Sequence, residues 1–409
     1  MSAATLTFAR SNGRPRRFAF DGVLLMTVAG ILLLGLVMMT SASISIADKQ
    51  LQDPLYFLFR QLTGVAFGVL AATVMMTVPT AVWERLAMPL LLVAFILLLL
   101  VLIPGIGHEV NGSRRWLRAG VMNFQASEMA RVLLLTYLAS YVVRRQAELK
   151  EELKGFLKPL GVLMGAAALL LMEPDFGAAT VLMATGLGVL FLAGVKLRHF
   201  FALVAIAAAG MALIAVTSAY RLKRLTAFMD PWADPFNSGF QLTQSLIAIG
   251  RGELFGVGLG SSVQKLFYLP EAHTDFVFAV LAEELGLMGV ILTLALFVVL
   301  VWRSFHISRM AAEAGLAFQA YCAAAFGIWL ALQTFINVGV NMGILPTKGL
   351  TLPLMSYGGS SVMVTLGWLG FLMRIHHEAS TSGRLAVSRP SSGTAQRRPS
   401  RREREEDDE

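Results

Sequence analysis

The chain has 409 residues, of which 56% are hydrophobic and only 15% are charged, and its mean hydropathy is +0.67. Soluble globular proteins are about 45–50% apolar, so this composition excludes a soluble globular chain and indicates an integral membrane protein. The net charge of +8 does not indicate nucleic-acid binding, because the cations are spread over short loops and form no basic face interleaved with aromatic residues.

Ten apolar segments are long enough, or nearly long enough, to cross a ~30 Å hydrocarbon core. They lie near residues 22–43, 55–78, 83–103, 126–143, 159–173, 175–195, 199–219, 275–302, 316–339 and 353–373. The basic residues ahead of the first segment resemble the start of a signal peptide, but the run from Gly22 to Ser41 is long enough to span and predicts an uncleaved helix. The sequence therefore predicts an all-α integral membrane protein of about ten transmembrane helices.

Ten spans place both termini on one side, and the positive-inside rule identifies that side as the cytoplasm. Cations then concentrate in cytoplasmic loops, as in the group Arg144, Arg145 and Lys150 after the fourth span. The chain divides into a basic cytoplasmic N-terminus (1–20), a membrane domain (21–375) and a cytoplasmic tail (376–409). We expect the tail to be disordered, because a segment rich in Ser, Pro and charged residues cannot bury enough apolar surface to fold alone.

The longest non-spanning stretch, residues 220–274, is predicted outside the membrane between the seventh and eighth spans. From Gly239 onward it predicts an amphipathic helix lying on the membrane surface. The apolar face contains Leu242, Leu246 and Ile249, and the polar face contains Gln241, Gln244 and Ser245. The Gly-rich segment that follows lacks the GK[ST] element of a phosphate-binding loop, which argues against a nucleotide site.

Four acidic residues lie at or near the ends of predicted spans. Glu128 is three residues from Arg131 at the start of the fourth span, so the two share a helix face and can form an ion pair. Glu173 and Asp175 flank Pro174 between two apolar runs. Ionisable groups at such a depth normally face a cavity or a partner, so the pair predicts the wall of a site. Asp275 stands where the long outer loop meets the eighth span.

Two further carboxylates, Glu283 and Glu284, lie inside the eighth span. At 100° per residue, Glu283 is turned about 80° from Asp275 and Glu284 about 180°, so the three cannot face one pocket. We expect the pair to make interhelical hydrogen bonds. The histidines show no metal-ligand spacing, and the single cysteine, Cys322, has no partner for an intrachain disulfide.

Five segments on the predicted outer side resemble, in the same order, the shape, elongation, division and sporulation (SEDS) family. They are NGSRRWLRAGVMNFQASEMAR (111–131), EPDFG (173–177), DPWADPFNSGFQLTQSLIAIGRGELFGVGLG (230–260), LPEAHTDFVFAVLAEELG (269–286) and NMGILPTKGLTLPLMSYGGSS (341–361). The pieces LPEAHTDF and LPTKGLTLP resemble the division branch more than the elongation branch. That branch commonly has Pro where this chain has Ala126, and Lys where this chain has Arg131. The second difference retains a cation at that position.

The resemblance implies a peptidoglycan glycosyltransferase that polymerises lipid II on the outer face of the cytoplasmic membrane, at the division septum. It implies inverting transfer with undecaprenyl pyrophosphate as the leaving group. The implied partners are a class B penicillin-binding transpeptidase of the FtsI kind and division proteins of the FtsQ, FtsL and FtsB kind. No cofactor is firmly implied, although Mg²⁺ or Mn²⁺ would suit the substrate pyrophosphate.

Two other functions remain open at this point, a lipid II flippase and a non-catalytic scaffold of the division machinery. Both fit ten helices with intramembrane charges. A carboxylate at the outer rim favours the enzyme, because transport predicts polar groups distributed through the bilayer.

The catalytic base is predicted to be Asp275. A helix N-terminus stabilises an ionised carboxylate, and the membrane rim is where a lipid-tethered sugar would lie. The resemblance of LPEAHTDF to the family's catalytic motif favours this role over simple capping of the helix.

The residues predicted to contact substrate are Arg115, Ser127, Glu128, Arg131, Glu173, Asp175, Arg224, Gln241, Gln244, His273, Lys348, Tyr357 and Ser360. Among them, Arg suits bidentate phosphate contact, and Lys348 is expected to hold the pyrophosphate. For the outer cations Arg118 and Lys265, a solvated side chain or one bound to lipid headgroups is expected.

Overall fold

The computed structural model describes residues 18–110, 113–119, 122–216, 228–266, 268–346 and 349–387. The helices are α1 Gly22–Leu51, α2 Tyr56–Thr77, α3 Thr80–Arg85, α4 Ala87–Leu102, α5 Ala126–Arg144, α6 Gln146–Glu151, α7 Leu153–Met172, α8 Phe176–Leu192, α9 Leu197–Val216, α10 Phe240–Arg251, α11 Val277–Glu313, α12 Ala317–Asn341 and α13 Gly359–Val387. The strands are β1 Gly107–Val110, β2 Ser113–Ala119 and β3 Met122–Gln125, and a 3₁₀ turn covers Pro231–Ala233.

A helix lies on each of the ten predicted spans, which confirms the helical membrane fold. Among the residues described, six helices are long enough and apolar enough to cross a membrane, namely α1, α2, α5, α7 from Lys154 onward, α11 and α12. The helices α4 and α8 are shorter apolar helices. Length and hydropathy thus located the helices correctly, because both properties are local.

The connection between α4 and α5 forms an antiparallel sheet in the order β1-β2-β3, which the sequence analysis did not predict. In the second strand pair, Trp116 lies opposite Gln125 and Leu117 opposite Phe124. The strands carry many charged residues and lack a clean apolar alternation, so hydropathy alone does not reveal them. The pair Asn111-Gly112 between β1 and β2 is a strong hairpin signal that could have done so.

The bundle has two ends, which we name by their contents. The sheet end carries the three strands, the α7–α8 connection, α10 and the segments 342–346 and 349–358. The terminal end carries the first and last described residues. There the ring of Phe18 stacks on His377 with 4.4 Å between centroids, and Asp21 forms an ion pair with Arg303. The two described ends of the chain therefore lie together.

The last helix extends beyond residue 375, the predicted end of the membrane domain, and occupies the first part of the predicted tail. Contacts at the terminal end explain the extension. Glu378 accepts hydrogen bonds from Thr80 and Gln319, and the backbone N–H of Ala19 donates to His377 Nδ1 at 3.0 Å. Composition could not show these tertiary partners. The rest of the predicted tail, 388–409, lies outside the described residues.

The helix predicted from Gly239 is present as α10, with Gly239 at its N-cap and Gly252 at its C-cap. It packs on α11 and α12. Leu242 is buried as expected, but Ser245 is also buried, and its Oγ donates to the Asn341 carbonyl at 2.8 Å. The assignment of Ser245 to a polar face was wrong because neighbouring helices cover this side of α10.

The helix α11 is interrupted at Gly286, whose φ of 63° is left-handed. The chain around Gly256 lies directly on this break, and a Cβ at Gly286 would come within 2.3 Å of the Gly256 nitrogen. Only glycine tolerates both the left-handed backbone and this close approach. The break therefore provides the place where the α10–α11 connection attaches to α11.

Glu283 and Glu284, just before this break, hold the α10–α11 connection through hydrogen bonds. Glu283 accepts from the Val263 N–H at 3.1 Å and from Arg251 Nη1 at 3.1 Å. Glu284 accepts from Lys265 Nζ at 2.7 Å and from Ser41 Oγ of α1 at 2.8 Å. The expected hydrogen-bonding role of the two glutamates is present, but the expectation that Lys265 is solvated was wrong, because its ammonium is buried in this ion pair.

Candidate active site

Asp275 lies immediately before α11, at the sheet end, and the N-cap position of α11 belongs to Phe276. The carbonyl of Asp275 accepts from Asn337 Nδ2 at 2.9 Å and from Asn341 Nδ2 at 3.1 Å, both on α12. Its carboxylate lies against Gly349, where a Cβ would come within 2.8 Å of Oδ2. Asp275 is thus fixed through its backbone, while its side chain points at the backbone of the segment before α13.

That segment, residues 349–352, is the second wall of the site. The carbonyl of Leu350 accepts from Asn337 Nδ2 at 2.6 Å, and the carbonyl of Thr351 accepts from Gln333 Nε2 at 3.0 Å. The side chain of Leu350 packs on Gly177, where a Cβ would meet it at 2.9 Å. This packing brings the start of α8, and with it the EPDFG segment, towards Asp275.

Asp175 joins α8 to the start of α5. Its Oδ1 caps α8 by accepting from the Ala178 N–H at 3.0 Å, as an N-terminal carboxylate commonly does. Its Oδ2 accepts from Gln125 Nε2 at 3.1 Å and from Ser127 Oγ at 3.3 Å. Asp175 and Ser127, both predicted as site residues, are therefore in contact, and Gln125 is a partner that the sequence analysis missed.

Glu128 and Arg131 lie one turn apart on α5, as the spacing predicted, but their described hydrogen bonds go to α13 and α12 and not to each other. Glu128 Oε2 accepts from Ser360 Oγ at 3.3 Å. Arg131 Nη1 donates to Gln333 Oε1 at 2.8 Å, and its guanidinium lies 5.4 Å from the centre of the Trp329 ring. Arg131 is buried, and its Nε has no hydrogen-bond partner. A buried guanidinium with a free N–H can still bind an anionic group.

Glu173 is fully buried, and neither of its carboxyl oxygens has a hydrogen-bond partner. Burial, reinforced by the charge of Asp175 and opposed by Arg115, raises the pKa of Glu173 to about 8. The carboxyl group is therefore mostly protonated at neutral pH. The Nε of Arg115 is also buried without a partner, so two predicted site residues have unused hydrogen-bonding capacity in one region.

His273 and Tyr357 form an aromatic cluster with Phe57 beside Asp275. The Tyr357 N–H donates to the His273 carbonyl at 2.8 Å, and their ring centroids are 5.6 Å apart. Phe57 lies 4.7 Å from His273 and 5.1 Å from Tyr357, again between centroids. Burial lowers the pKa of His273 against the opposing charge of Glu271, so its imidazole is neutral at pH 7.

The remaining predicted residues lie on α10 or outside the described residues. Gln241 and Gln244 are half-buried on α10. Arg224 and Lys348 lie outside the described residues, so their predicted roles stay predictions. Within the described part of the chain, no cluster of three or more His, Cys, Asp or Glu could hold a metal ion. A role for Mg²⁺ or Mn²⁺ with the substrate pyrophosphate therefore stays an untested possibility of the sequence analysis.

The sequence analysis missed three buried amides on α12, Gln333, Asn337 and Asn341. Their four-residue spacing places them on one helix face, and polar groups inside an apolar span usually have a structural or functional partner. This spacing could have indicated from the sequence that the amides matter, but it could not identify the carbonyl groups that they bind.

The fold and this site define a class, a polytopic helical membrane protein with a buried, highly polar site at one end of the bundle. The chain belongs to the SEDS family: the model of the FtsW, RodA and SpoVE proteins, described as cell cycle proteins, matches residues 22–381. This match confirms the resemblance of the five sequence segments.

Relatives and solved structures agree with this assignment. The probable peptidoglycan glycosyltransferase FtsW of Thioalkalivibrio sulfidiphilus is 56% identical over 397 residues, covering 96% of this chain and 99% of the relative. Its counterpart of the same name in Legionella pneumophila is 50% identical over 359 residues, covering 88% and 91%.

Among solved structures, the rod shape determining protein RodA of Thermus thermophilus is 30% identical with a TM-score of 0.67, covering 89% of this chain and 99% of RodA. A chain from a study of how a peptidoglycan synthase complex coordinates polymerization and crosslinking is 31% identical with a TM-score of 0.73, covering 88% and 98%. These likenesses extend over nearly the whole of each protein.

Proposed function

We propose that this protein is a peptidoglycan glycosyltransferase that polymerises lipid II on the outer face of the cytoplasmic membrane during cell division, with Asp275 as general base. The observation that carries the proposal is the placement of the Asp275 carboxylate against Gly349, between α11 and the segment 349–352. The names of the relatives from Thioalkalivibrio and Legionella support the activity and the division branch.

The reaction needs one base and a set of cations. The acceptor hydroxyl of lipid II attacks the anomeric carbon of the growing glycan, and Asp275 takes its proton. The bond between that carbon and the pyrophosphate oxygen breaks with inversion, and undecaprenyl pyrophosphate leaves with the bonding electrons. Pyrophosphate departs without a strong acid, so a single carboxylate is sufficient. Arg131, Arg115 and Lys348 are the cations proposed to stabilise the leaving group.

The grouping of polar residues favours an enzyme over a flippase. Arg131 and Asp275 are linked through Gln333 and Asn337 to the neighbouring carbonyls of Thr351 and Leu350 at the sheet end of the bundle. Glu128 and Asp175 lie close enough to Arg131 to interact electrostatically with it. A transporter would be expected to bind its substrate near the bilayer midplane, between repeats. A site at one end of the bundle suits a substrate whose sugar lies outside the membrane while its lipid stays within.

The partner and the location are part of the same proposal. A membrane-anchored transpeptidase of the class B penicillin-binding kind would crosslink the strands that this protein makes. The similarity to a chain of a peptidoglycan synthase complex supports such an assembly. Division proteins of the FtsQ, FtsL and FtsB kind are proposed as further partners at the septum. Both termini are proposed to be cytoplasmic, which places the sheet end outside.

The test is polymer synthesis by the purified protein with its transpeptidase partner and labelled lipid II. We expect glycan polymer from the unmodified protein and a loss of roughly 10²-fold or more in Asp275→Asn, because a general base typically contributes that much. The control is Asp53→Asn, a change at an exposed carboxylate in the α1–α2 connection, which should keep full activity.

Two results would contradict the proposal. Polymer made by Asp275→Asn within a few-fold of the unmodified rate would remove Asp275 from the mechanism. Absence of polymer from the unmodified protein, combined with lipid II transport into vesicles, would establish the flippase. If neither activity is found, a non-catalytic scaffold is the function that remains.

A further inference from the structure

The amide side chains of α12 form a line that faces the site. Gln333, Asn337 and Asn341 are spaced by four residues and are 2%, 2% and 0% exposed. Each donates hydrogen bonds to backbone carbonyls of segments outside α12. These bonds satisfy the NH₂ groups, whereas the Oδ1 of Asn337 has no hydrogen-bond partner. A buried NH₂ group in a membrane helix is costly unless it is satisfied, so the carbonyls that it binds indicate its structural role.

Asn337 holds two separate segments at once. Its Nδ2 donates to the carbonyl of Asp275 at 2.9 Å and to the carbonyl of Leu350 at 2.6 Å. These two carbonyls precede α11 and α13, respectively, and neither lies inside a helix or strand. One amide group therefore fixes the distance between the residue proposed as base and the segment that faces it.

Asn341 provides a second anchor for Asp275. Its Nδ2 also donates to the Asp275 carbonyl, at 3.1 Å, and its Oδ1 accepts from the Ala279 N–H at 3.2 Å. Its own carbonyl accepts from Ser245 Oγ on α10. Asn341 thus ties the base to the first turn of α11 and both of them to α10.

Because Asp275 lies so close to Gly349, the position of its carboxylate should depend strongly on how its backbone is held. A Cβ at position 349 would come within 2.8 Å of Oδ2, so the carboxylate occupies the space that any side chain at this position would need. A displacement of about 1 Å in a reacting group can cost about 10²-fold in rate, because the reacting atoms leave their near-attack geometry. A small displacement of the Asp275 backbone carbonyl would displace its carboxylate as well.

We infer that Asn337 and Asn341 are positioning residues, which place the Asp275 carboxylate for proton removal by holding its carbonyl and that of Leu350. The inference rests on the proposed function. Neither asparagine touches substrate in this account, so substrate affinity should depend on them much less than the rate of the chemical step does.

The experiment measures kcat and KM for lipid II in the complex with the transpeptidase partner. The variants are Asn337→Asp and Asn341→Asp, which keep the volume and lose the donated bonds when the new carboxyl is ionised, and the second keeps the acceptor for Ala279. The measurement is made across pH 6 to 9, because a protonated carboxyl can still donate one hydrogen bond. The control is Thr334→Val on the same helix, because the Thr334 hydroxyl is buried and has no hydrogen-bond partner.

We expect kcat to fall about 10-fold or more in Asn337→Asp and less in Asn341→Asp, since Asn337 still holds both carbonyls in the second variant. KM should stay within about 3-fold in both, and Thr334→Val should match the unmodified protein. Gly349→Ala leaves both asparagines in place and should lower kcat in the same way, because its Cβ displaces the carboxylate directly.

Folding is checked by thermal unfolding and by binding of the transpeptidase, so that a loss of folded protein is not counted as a loss of kcat. Asparagine variants that are folded and keep kcat within about 3-fold, in a protein that makes polymer, would overturn this inference and leave the proposed function intact. A rise in KM with unchanged kcat would also overturn it, since that result assigns the asparagines to substrate binding. An unmodified protein that makes no polymer would overturn both proposals.

Discussion

Lys265 and Glu284 form an ion pair in which Nζ lies 2.7 Å from Oε1 and the two side chains are 4% and 0% exposed. Ser41 of α1 donates to Glu284 and accepts from Lys265, so the pair joins α1, α11 and the connection between α10 and α11. The two charged residues lie in different elements, and each offsets part of the other's cost of burial.

Removing one member of this pair should destabilise the protein strongly. We expect Lys265→Met to lower the free energy of unfolding by about 3–5 kcal/mol, because it leaves a buried carboxylate without its cation. Thermal unfolding in detergent measures the change. Arg309→Met is the matched control, since the Arg309–Glu313 pair is exposed and such pairs contribute about 0–1 kcal/mol. Equal losses from the two substitutions would show that the buried pair has no special weight.

The stability of the protein should depend on the protonation of Glu173. Its pKa is raised from 4.5 to about 8, so the folded state holds a proton that the unfolded state releases between these values. The stabilisation is complete below pH 4.5 and is lost as the pH rises through about 8. We expect Glu173→Gln to flatten the fall in melting temperature between pH 6 and pH 9, and Asp53→Asn to leave it unchanged. The prediction fails if the Gln variant and the unmodified protein have parallel pH profiles.

Lys348 is expected to stabilise the pyrophosphate as it leaves. Lys348→Ala should reduce polymer synthesis strongly, whereas Lys348→Arg should keep part of the activity, because the charge remains while the contact geometry changes. Initial rates with labelled lipid II distinguish the variants. A near-normal rate in Lys348→Ala would return this residue to a solvated surface cation.

The predicted orientation can be tested with reporter fusions. Leu266 lies in the α10–α11 connection at the sheet end, and Ala312 lies near the end of α11. Reporters inserted at these two positions should indicate opposite sides of the membrane, with Leu266 outside, because the positive-inside rule retains the cations near Ala312 in the cytoplasm. Two reporters on the same side would refute the orientation.

The sequence was sufficient for features that depend on local patterns. Apolar length located the helices, and the sequence segments around Glu128, Asp175 and Asp275 identified the family before any geometry was known. These three carboxylates do lie at the sheet end, as collinear motifs of one site should.

Other features depend on partners that are far apart in the chain. The burial of Lys265 follows from Glu284 and Ser41, and the role of Asn337 follows from Asp275 and Leu350, 62 and 13 residues away. No periodicity encodes such pairings. The strands β1 to β3 were missed for a different reason, since their charged residues hide the alternation by which a strand is normally detected.

The contacts of the first two helices have a consequence for the biosynthesis of this protein. Apart from their contact with each other, α1 packs mainly on α11 and α2 mainly on α13, and Phe18 stacks on His377. Both partner helices leave the ribosome more than 200 residues after the helix that they cover. At about 5–20 residues per second, the two helices wait for tens of seconds in the bilayer before those partners arrive. During this interval they depend on lipid, or on insertion factors, to cover the faces that α11 and α13 later bury.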